Sequence, residues 1–230
     1  MNENDFSIVV ASEAHIKYAQ QICDEMAESA KARGTGIAKR SPDYVGNKMC
    51  EGKAVIALHK DGTWAGFCYI ETWDGEFVAN SGLIVNPIYR KAGLAKAIKK
   101  RIFNLSREKY PDAKIFGLTT GLAVMKINSE LGYEPVTYSE LTKDENFWSG
   151  CKSCVNFDIL TMKERKNCLC TAMLYDPVEK KKDAEEAAEK AQKEMTHKAS
   201  LLERIEESIK KSLKSVISYI NLVPDTYTNK

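Results

Sequence analysis

At 230 residues, the chain is longer than a single hydrophobic core usually requires, which favours one domain with an appended segment. Hydrophobic residues make up 43% and charged residues 29%, so the composition is too apolar for wholesale disorder. The formal net charge of +2 excludes the strong basic bias of a protein held mainly by nucleic-acid phosphates. Any recognition of anions is therefore expected to be local.

The N-terminal residues and the cysteine content predict a cytoplasmic protein. The first residues show no basic segment followed by a long apolar run, and the sequence lacks the roughly 18 consecutive apolar residues of a transmembrane helix. The seven cysteines are an odd number, and without an export signal they are better explained as reduced thiols or metal ligands than as disulfides.

The first half of the chain predicts a strand, two helices and three further strands. The helices begin at Ser12 and at Ser41, because serine caps a helix N-terminus and the proline after Ser41 is tolerated at the first helical position. Two Asp-Gly pairs, at Asp61 and Asp74, are typical of tight hairpin turns. The predicted elements are a strand at 6–12, helices through 32 and from 42 to about 52, and strands at 53–60, 63–72 and 76–85.

The second half continues as helix, strand, helix and strand. Pro87 closes the preceding strand, and apolar residues at helical spacing follow it. Gly132 ends the second of these helices, because glycine readily takes the left-handed conformation at a helix C-terminus. The predicted elements are a helix from 90 to about 107, a strand at 114–120, a helix from 122 to 132, and a strand at 134–141.

The turn between the strand ending at 85 and the following helix has the composition of an anion site. A glycine-containing turn exposes backbone N–H groups at the positive end of the helix dipole, and glycine lets a phosphate approach closely. The same residues also fit a plain strand-to-helix turn with a solvated lysine face. Nearby cationic residues are Arg90, Lys91, Lys96, Lys99 and Lys100.

Residues 85–95, VNPIYRKAGLA, resemble motif A of the GNAT family of N-acyltransferases. The family pattern is Val-x-Pro-x-x-Arg/Gln-x-x-Gly-x-Gly/Ala, and Val85, Pro87, Arg90, Gly93 and Ala95 match it. The predicted order of elements over residues 6–141 is also the GNAT order, and LGYEP is similar to the family's Gly-Phe after its fourth helix. The resemblance implies an α/β fold with a mixed, mainly antiparallel sheet flanked by helices.

In that family the motif-A loop holds the pyrophosphate of acetyl-CoA through backbone amides, and the preceding strand pairs with the pantetheine arm. The resemblance therefore implies acetyl-CoA, or a related acyl-CoA, as the acyl donor. The residues that it assigns to the cofactor site are Leu83, Ile84, Val85, Arg90, Lys91, Ala92, Gly93, Leu94, Ala95 and Asn128.

Asn128 departs from the family pattern. Many members have a tyrosine at this place, where it can protonate the departing CoA thiolate. Asparagine has no proton to give at neutral pH, although it can hydrogen-bond the sulfur or an amide of CoA. Tyr133, Tyr138 and water are the alternatives for this role.

Acylation of an amine at neutral pH also requires a base, because only the neutral amine is nucleophilic. Glu71 and Glu76 lie near the predicted hairpin that leads into the fourth strand, beside which the acceptor enters in the resembling fold, and Glu76 is the predicted base. Asn80 occupies the place of the glutamate that histone-type members carry. Both glutamates also fit solvent-facing hairpin residues.

Four cysteines, Cys151, Cys154, Cys168 and Cys170, have the spacing C-x2-C-x13-C-x-C, and four thiolates can hold a structural zinc. A regular hairpin over 155–176 would oppose zinc, since eight residues of strand at ~3.3 Å each place Cys154 and Cys168 more than ~20 Å apart. A helical or irregular segment at 155–167 would favour it. Otherwise the four cysteines are small apolar side chains.

After Pro177 the composition changes to a Lys-, Glu- and Ala-rich run whose apolar residues recur at steps of three and four. This pattern predicts a helix over about 180–221, ~60 Å long. We expect domains at 1–176 and 177–230, with the helix forming homo-oligomers as a coiled coil. A helix lying on its own domain is the alternative, and interspersed glutamates disfavour a membrane-surface helix. The residues of this tail seam are Ala188, Ala191, Met195, Leu202, Ile205, Ile209, Val216 and Tyr219.

Together these features predict an N-acetyltransferase that transfers an acetyl or related acyl group from acyl-CoA to the primary amine of a small molecule, without nucleic-acid or membrane partners. The segment from FWSGC to CLCTAMLYDP resembles bacterial GNAT members linked to arginine biosynthesis, which implies glutamate as the acceptor. The competing prediction is a non-catalytic acyl-CoA-binding or scaffold protein that acts through its helical tail. Asn128 in the tyrosine position keeps this alternative open.

Overall fold

The computed structural model describes residues 5–34, 38–73 and 75–220. The chain divides into two units, of which the first ends at Lys180 and the second begins at Lys181. Asp74 of the second predicted hairpin turn and the side chain of Tyr219 in the tail seam lie outside the described residues, as do the two ends of the predicted domains.

A seven-stranded sheet with the order β1-β2-β3-β4-β5-β7-β6 forms the centre of the first unit. Neighbouring strands pair antiparallel, except that β4 and β5 are parallel. The predicted mixed, mainly antiparallel sheet is confirmed. The strands are β1 (Phe6–Val10), β2 (Ala54–His59), β3 (Trp64–Trp73), β4 (Phe77–Val85), β5 (Lys114–Thr119), β6 (Glu134–Val136) and β7 (Thr171–Tyr175).

The helices follow the predicted order, with two changes at their ends. The run after Ser12 opens as a 3-10 turn, Glu13–Tyr18, before the first α-helix begins, and the strand predicted at 134–141 ends at Val136 in another short turn. The α-helices in the described residues are α1 (Ala19–Arg33), α2 (Pro42–Cys50), α3 (Leu94–Lys109), α4 (Leu122–Glu130), α5 (Glu145–Ser149), α6 (Phe157–Met162) and α7 (Pro177–Ile220).

A helix cap and a hairpin turn, both predicted from the sequence, fix the ends of α2 and of β2 and β3. The Ser41 hydroxyl accepts a hydrogen bond from the Tyr44 N–H at 3.2 Å, which caps α2 as predicted. The Asp61 carboxylate accepts from the Thr63 N–H at 2.8 Å, and Gly62 has a φ of 84°. This hydrogen bond and the left-handed Gly62 close the β2–β3 hairpin with the turn chemistry that the Asp-Gly pair predicts.

Each face of the sheet is covered by its own helices. On one face, the apolar stripe of α3 (Leu94, Ile98, Ile102 and Leu105) packs on β2, β3 and β4, and α4 lies beside it. On the other face, α1 and α2 pack through residues such as Ile22 and Met49 against Ile56, Phe67 and Tyr69. We call these the α3/α4 face and the α1/α2 face.

The sheet opens between its two parallel strands. β4 and β5 pair only from Phe77 with Lys114 to Ala79 with Phe116, and within the described structure no further ladder pair joins them. β4 also bulges at Gly82, whose φ is 65° and where a Cβ would approach the Tyr69 ring to 2.4 Å. We call the opening between residues 80–85 and 117–119 the β4–β5 gap.

The cysteine-containing segment is not a hairpin. Residues 157–162 form the short helix α6, and β7 begins only at Thr171 and pairs with β5 and β6. Of the two alternatives left open for this segment, the structure therefore has the helical one and not the regular hairpin.

The long C-terminal helix is confirmed as far as Ile220, the last described residue. It starts on Asp176, whose Oδ1 accepts from the Val178 N–H at 2.9 Å while its Oδ2 pairs with the Lys114 Nζ at 2.8 Å. In the part of α7 that belongs to the second unit, the described tail-seam residues are exposed. Among the helices described here, none has the length and apolar character needed to cross a membrane.

Candidate functional site

The loop that joins β4 to α3 is held in place by a buried asparagine. The Asn86 amide donates to the Trp64 carbonyl at 3.0 Å and accepts from the Ile88 N–H at 3.2 Å. Pro87 opens a short 3-10 turn that ends at Tyr89, whose ring is buried. The loop therefore leaves the sheet in a fixed direction before α3 begins.

The same loop presents backbone donors at the start of α3. Gly93 has a φ of 76° and is the N-cap of the helix, where no side chain caps the first turn. Lys91 also has a left-handed φ, of 68°. The first N–H groups of a helix lack partners within the helix and carry its positive dipole end. This loop thus has the backbone geometry of an anion site.

A cavity of about 200 Å³ lies at this helix end. Its walls bring together seven of the residues predicted for the cofactor or as nearby cations, and Ile127 of α4 lines the cavity as well. Ala92 belongs to the loop but not to the lining, and Leu83 and Ile84 lie in β4 beside the gap. The residues that line the cavity are Val85, Tyr89, Arg90, Lys91, Gly93, Leu94, Ala95, Lys96 and Ile127.

Arg90 braces the loop. Its Nε donates to the Val85 carbonyl at 3.2 Å, and its Nη2 lies 2.9 Å from the Glu25 carboxylate and 2.7 Å from the Ser29 hydroxyl of α1. In this structure the guanidinium that was predicted to contact the cofactor therefore ties the loop to α1 and to the end of β4.

Asn128 stands over the β4–β5 gap. The residue is 1% exposed, its Nδ2 donates to the Met173 sulfur at 3.6 Å, and an ideal Cβ on Gly117 would lie 3.7 Å from that nitrogen. Its Oδ1 is buried and has no hydrogen-bond partner in the described part of the chain. An unsatisfied buried acceptor is costly, and a ligand with an N–H or S–H group in the gap would satisfy it.

Lys99 is not a surface cation, in contrast to the prediction. It is 2% exposed, its Nζ donates to the Asn80 Oδ1 at 3.4 Å, and it lies 5.1 Å from the centre of the Tyr133 ring. Burial lowers the pKa of Lys99 to about 8. The prediction failed because the long side chain turns under α3 toward β4.

The side chain of Asn80 organises this buried cluster. Its Nδ2 donates to the Ser106 hydroxyl at 2.8 Å, and its Oδ1 also accepts from the Tyr133 hydroxyl at 3.1 Å. Asn80 is the first residue of β4 beyond the last pair with β5. A polar cluster of Asn80, Lys99, Ser106 and Tyr133 therefore lies on the α3/α4 face, where the gap opens.

A second polar cluster, with Glu71 at its centre, lies on the α1/α2 face. The Glu71 side chain is 11% exposed, and its Oε1 accepts from the Tyr44 hydroxyl at 2.7 Å and from the Arg40 Nη2 at 3.2 Å. Arg40 also donates through its Nε to the Tyr69 hydroxyl at 2.8 Å. Burial and the Glu71 charge raise the pKa of Tyr44, which keeps it a neutral donor.

The two glutamates predicted as bases occupy different places. Glu71 pairs in register with Ala79, the residue at which β4 and β5 separate, so it lies level with the opening of the gap. Glu76 is exposed in the β3–β4 turn, nine residues along the chain from Val85, or ~30 Å of extended strand. The placement therefore favours Glu71 over Glu76.

The two tyrosines that were alternatives to Asn128 are also separated. Tyr133 belongs to the cluster beneath the gap and is buried. The Tyr138 hydroxyl donates to the Cys170 carbonyl at 2.8 Å, and its ring packs against Trp148. Of the two, only Tyr133 lies in the polar cluster at the gap.

The predicted zinc site is not supported. The helical turn at 157–162 brings Cys151, Cys154, Cys168 and Cys170 near one another, since they influence one another's pKa. Within the described residues, however, no group of three or more His, Cys, Asp or Glu side chains is arranged to hold a metal. Burial first, and neighbouring cysteines second, raise the pKa of Cys151 to about 11 and of Cys170 to about 12, as expected of protonated thiols.

Sequence reasoning missed the polar cluster beneath α3, although a signal for it exists. Lys99 and Ser106 are seven residues apart, so both lie on one side of the helix, next to the apolar stripe that includes Ile98 and Ile102. Two polar residues in register beside a buried stripe indicate a polar contact at its edge.

The chain is similar in sequence to a curated acetyltransferase. It is 26% identical over 148 residues to the thialysine N-epsilon-acetyltransferase of Caenorhabditis elegans, a match that covers 63% of this chain and 90% of that protein. No protein-family model matches the chain.

Solved acetyltransferases share the fold. A GNAT-family acetyltransferase from Staphylococcus aureus matches with a TM-score of 0.53 at 12% identity, over 75% of this chain and 99% of that one. The N-acetylglutamate synthase of Neisseria gonorrhoeae, complexed with coenzyme A and N-acetyl-glutamate, matches with a TM-score of 0.52 at 17% identity. That match covers 74% of this chain and only 35% of the synthase. At these identities the likeness establishes the fold, which is that of the GNAT acetyltransferases.

Proposed function

We propose that the chain is an acetyl-CoA-dependent N-acetyltransferase acting on the primary amine of a small molecule. The observation that carries this proposal is the uncapped start of α3, with left-handed Lys91 and Gly93, directly beside a sheet that opens between β4 and β5. The relatives with acetyltransferase activity and the coenzyme A complex of a protein with the same fold support an enzyme of this kind.

The residues present fit such a donor. The N–H groups of Gly93, Leu94 and Ala95 at the helix start would hold the pyrophosphate, because they combine unpaired donors with the positive dipole end. The unpaired edge of β4 at Leu83, Ile84 and Val85 would hydrogen-bond the pantetheine amides. The Asn128 Oδ1, orphaned within the described chain, would accept a hydrogen bond from the arm. Acetyl-CoA would supply the acetyl group as a thioester.

On the acceptor side, we assign the base to Glu71. Both hydrogen bonds present in the described structure fall on its Oε1, which leaves Oε2 to accept from an incoming ammonium group, directly or through water. Tyr44, in α2, and Arg40, just before it, hold the carboxylate in place. Glu71 would then take the proton that makes the amine nucleophilic.

The acceptor class follows from the names of the relatives. One relative is named for thialysine and a structural neighbour for N-acetyl-glutamate, and both compounds are amino acids. We therefore propose an amino acid or a similar small amine as the acceptor, with glutamate and lysine analogues as the first compounds to test. A non-catalytic acyl-CoA-binding protein is the second candidate, supported by Asn128, whose amide cannot give up a proton to a thiolate at neutral pH.

Titration calorimetry of acetyl-CoA into the wild type and Gly93→Glu tests the donor site. A carboxylate at this helix start would block the loop and repel the pyrophosphate, so we expect the Kd to rise by about tenfold or more. Gly62→Glu is the matched control, because Gly62 also has a left-handed φ, of 84°, but lies in a hairpin turn where an added Cβ would meet nothing within 4 Å.

Loss of binding in Gly93→Glu alone would support the proposed site. Equal binding in all three proteins, or none in the wild type, would overturn it. Release of CoA only when an amine is added would separate the enzyme from the non-catalytic alternative.

A further inference from the structure

We propose that Lys99 is the group that protonates the departing CoA thiolate. This inference rests on the proposed function and adds a catalytic residue to it. Breaking a thioester leaves a thiolate, and Asn128, which occupies the place of the usual donor, has no proton to give. Lys99 is the buried ammonium that the structure places next to the gap in which that thiolate would form.

The position of Lys99 follows from its contact with Asn80. Asn80 is the first residue of β4 past the last pair with β5, and its Oδ1 holds the Lys99 Nζ at 3.4 Å. Across the opening, Gly117 is the first residue of β5 past that pair, and the Asn128 amide lies over it. The ammonium and the orphaned Asn128 oxygen thus approach the same end of the gap from α3 and α4.

A pantetheine arm bound at the loop would reach this point. From Val85 to Asn80 there are five residues of β4, or ~16 Å. The arm is about as long as four or five residues of extended chain, since it carries two amides between the pyrophosphate and the thiol. An arm that starts at Gly93 and follows β4 therefore ends near Lys99.

Lys99 has no counter-anion of its own. No carboxylate within the described residues pairs with it, and the groups that face it are Cys68 from β3, Asn80 from β4, Ser106 from α3 and Tyr133 after α4. Burial raises the pKa of Cys68 to about 11, so this thiol is neutral. A buried cation without an anion is costly, and a thiolate in the gap would supply that anion.

The step is balanced as follows. The acceptor nitrogen forms a bond to the thioester carbon, the carbon–sulfur bond breaks, and its electron pair goes to the sulfur. Lys99 gives one proton from its Nζ to that sulfur and becomes a neutral amine. It recovers a proton from solvent before the next turnover. The acceptor nitrogen loses two protons to Glu71 in turn: the first leaves the ammonium group before the attack and passes on to solvent, and the second leaves as the amide forms.

The proton affinities of the two groups suit this transfer. The pKa of Lys99, lowered to about 8 by burial, lies close to the ~8.5 of an ordinary thiol, so a proton moves between them at little cost. Burial raises the pKa of Tyr133 well above its usual range, and its proton is already donated to Asn80. Tyr133 is therefore the poorer donor.

The test measures the ionisation of CoA bound to the protein, through the ultraviolet absorbance of its thiolate as a function of pH. Lys99 should lower the pKa of the bound thiol, and in Lys99→Met we expect that pKa to rise by about one to three units. Methionine has a similar length and suits an apolar site. Tyr133→Phe is the matched control and should leave the pKa of the thiol within about half a unit.

Equal thiol pKa values in the wild type and Lys99→Met would overturn the inference, and so would a shift found only in Tyr133→Phe. Failure of CoA to bind at all would instead overturn the proposed function. If Lys99→Met does not fold, the test is made on the wild type alone, by comparing its affinities for CoA and S-methyl-CoA as a function of pH. Its preference for CoA over S-methyl-CoA should grow between about pH 6 and 8, and a constant preference would contradict a role for Lys99.

Turnover gives a second readout that packing alone would not produce. Because the donor must be protonated, the wild-type kcat should fall as pH rises above about 8, the pKa of Lys99. Lys99→Met should lose roughly 10²-fold in kcat at neutral pH and should lack this alkaline fall. An alkaline fall that persists in Lys99→Met would overturn the assignment.

Discussion

The carboxylate of Glu71 makes its hydrogen bonds through one of its two oxygens. Tyr44 and Arg40 both bind its Oε1, so its orientation is fixed without using Oε2 within the described structure. Glu76, by contrast, lies in an exposed turn. A base must be positioned before its proton affinity matters, and this criterion separates the two residues.

Replacing Glu71 tests that assignment. We expect Glu71→Gln to lower kcat by about 10²-fold or more while the Kd of acetyl-CoA changes by less than about twofold, because the base acts on the acceptor and not on the donor. Steady-state kinetics with a saturating amine, together with calorimetry of acetyl-CoA, give the two numbers.

Glu76→Gln makes the same chemical change at the exposed turn and should leave kcat unaltered. Glu71→Asp keeps the negative charge that Arg40 pairs with and should recover part of the activity. A Glu76→Gln variant with the larger loss would contradict the assignment.

At the residue scale, the sequence predicted backbone conformation more accurately than it predicted side-chain contacts. The position of Gly93 before α3 followed from the motif, because a left-handed backbone conformation favours glycine. The contacts of Arg90 with Glu25 and Ser29, and of Lys99 with Asn80, join residues from 19 to 65 positions apart. No local pattern specifies such pairs.

At the scale of elements, α3 is held close to the sheet at one glycine. A Cβ on Gly66 of β3 would lie 2.4 Å from the Ile98 Cδ1 and 3.0 Å from the Ile84 carbonyl oxygen. Ile98 is fully buried, so its side chain has little room to move aside. The absence of a side chain at Gly66 therefore sets the distance between α3 and β3, and with it the position of Lys99.

We expect Gly66→Ala to lower the free energy of unfolding by about 1–3 kcal/mol through overpacking. Gly46→Ala is the matched control: Gly46 lies inside α2, where a Cβ meets Ile16 at an ordinary 3.6 Å. Alanine there should raise the free energy of unfolding by up to ~1 kcal/mol. Denaturant unfolding of both variants measures whether the free energy of unfolding falls or rises. An unchanged free energy in Gly66→Ala would show that the helix can shift.

The element order up to β5 was predictable because each boundary carries its own turn or cap residue. The segment at 155–176 was not, since its apolar runs are compatible with either a strand or a short helix, and only its packing against Tyr138 and Trp148 decides between them. The strand predicted at 134–141 was too long for a similar reason, because its second half turns to bury Tyr138.

At the scale of the whole molecule, the second unit presents an apolar surface. Ile205 and Ile209 are 47% and 54% exposed, although isoleucine is among the residues most often buried. They belong to the tail seam, whose spacing is that of a coiled coil. We therefore retain homo-oligomerisation through α7 as a prediction.

Analytical ultracentrifugation tests this prediction. Wild-type protein should sediment as an oligomer, and the pair Ile205→Glu and Ile209→Glu should convert it to a monomer, because two carboxylates would be buried in the seam. Lys211→Glu and Lys214→Glu add the same side chains on the opposite side of the helix and should leave the oligomer intact. A monomeric wild type would contradict the prediction.

The opening between β4 and β5 also has a thermodynamic consequence. It places unpaired backbone amides and carbonyls in the middle of the sheet, so a ligand that hydrogen-bonds along β4 completes the secondary structure of the protein itself. Occupancy and folding are then linked equilibria, and a ligand at 100 times its Kd adds about 2.7 kcal/mol to the stability of the native state. Such a ligand would therefore stabilise the fold as well as occupy the site.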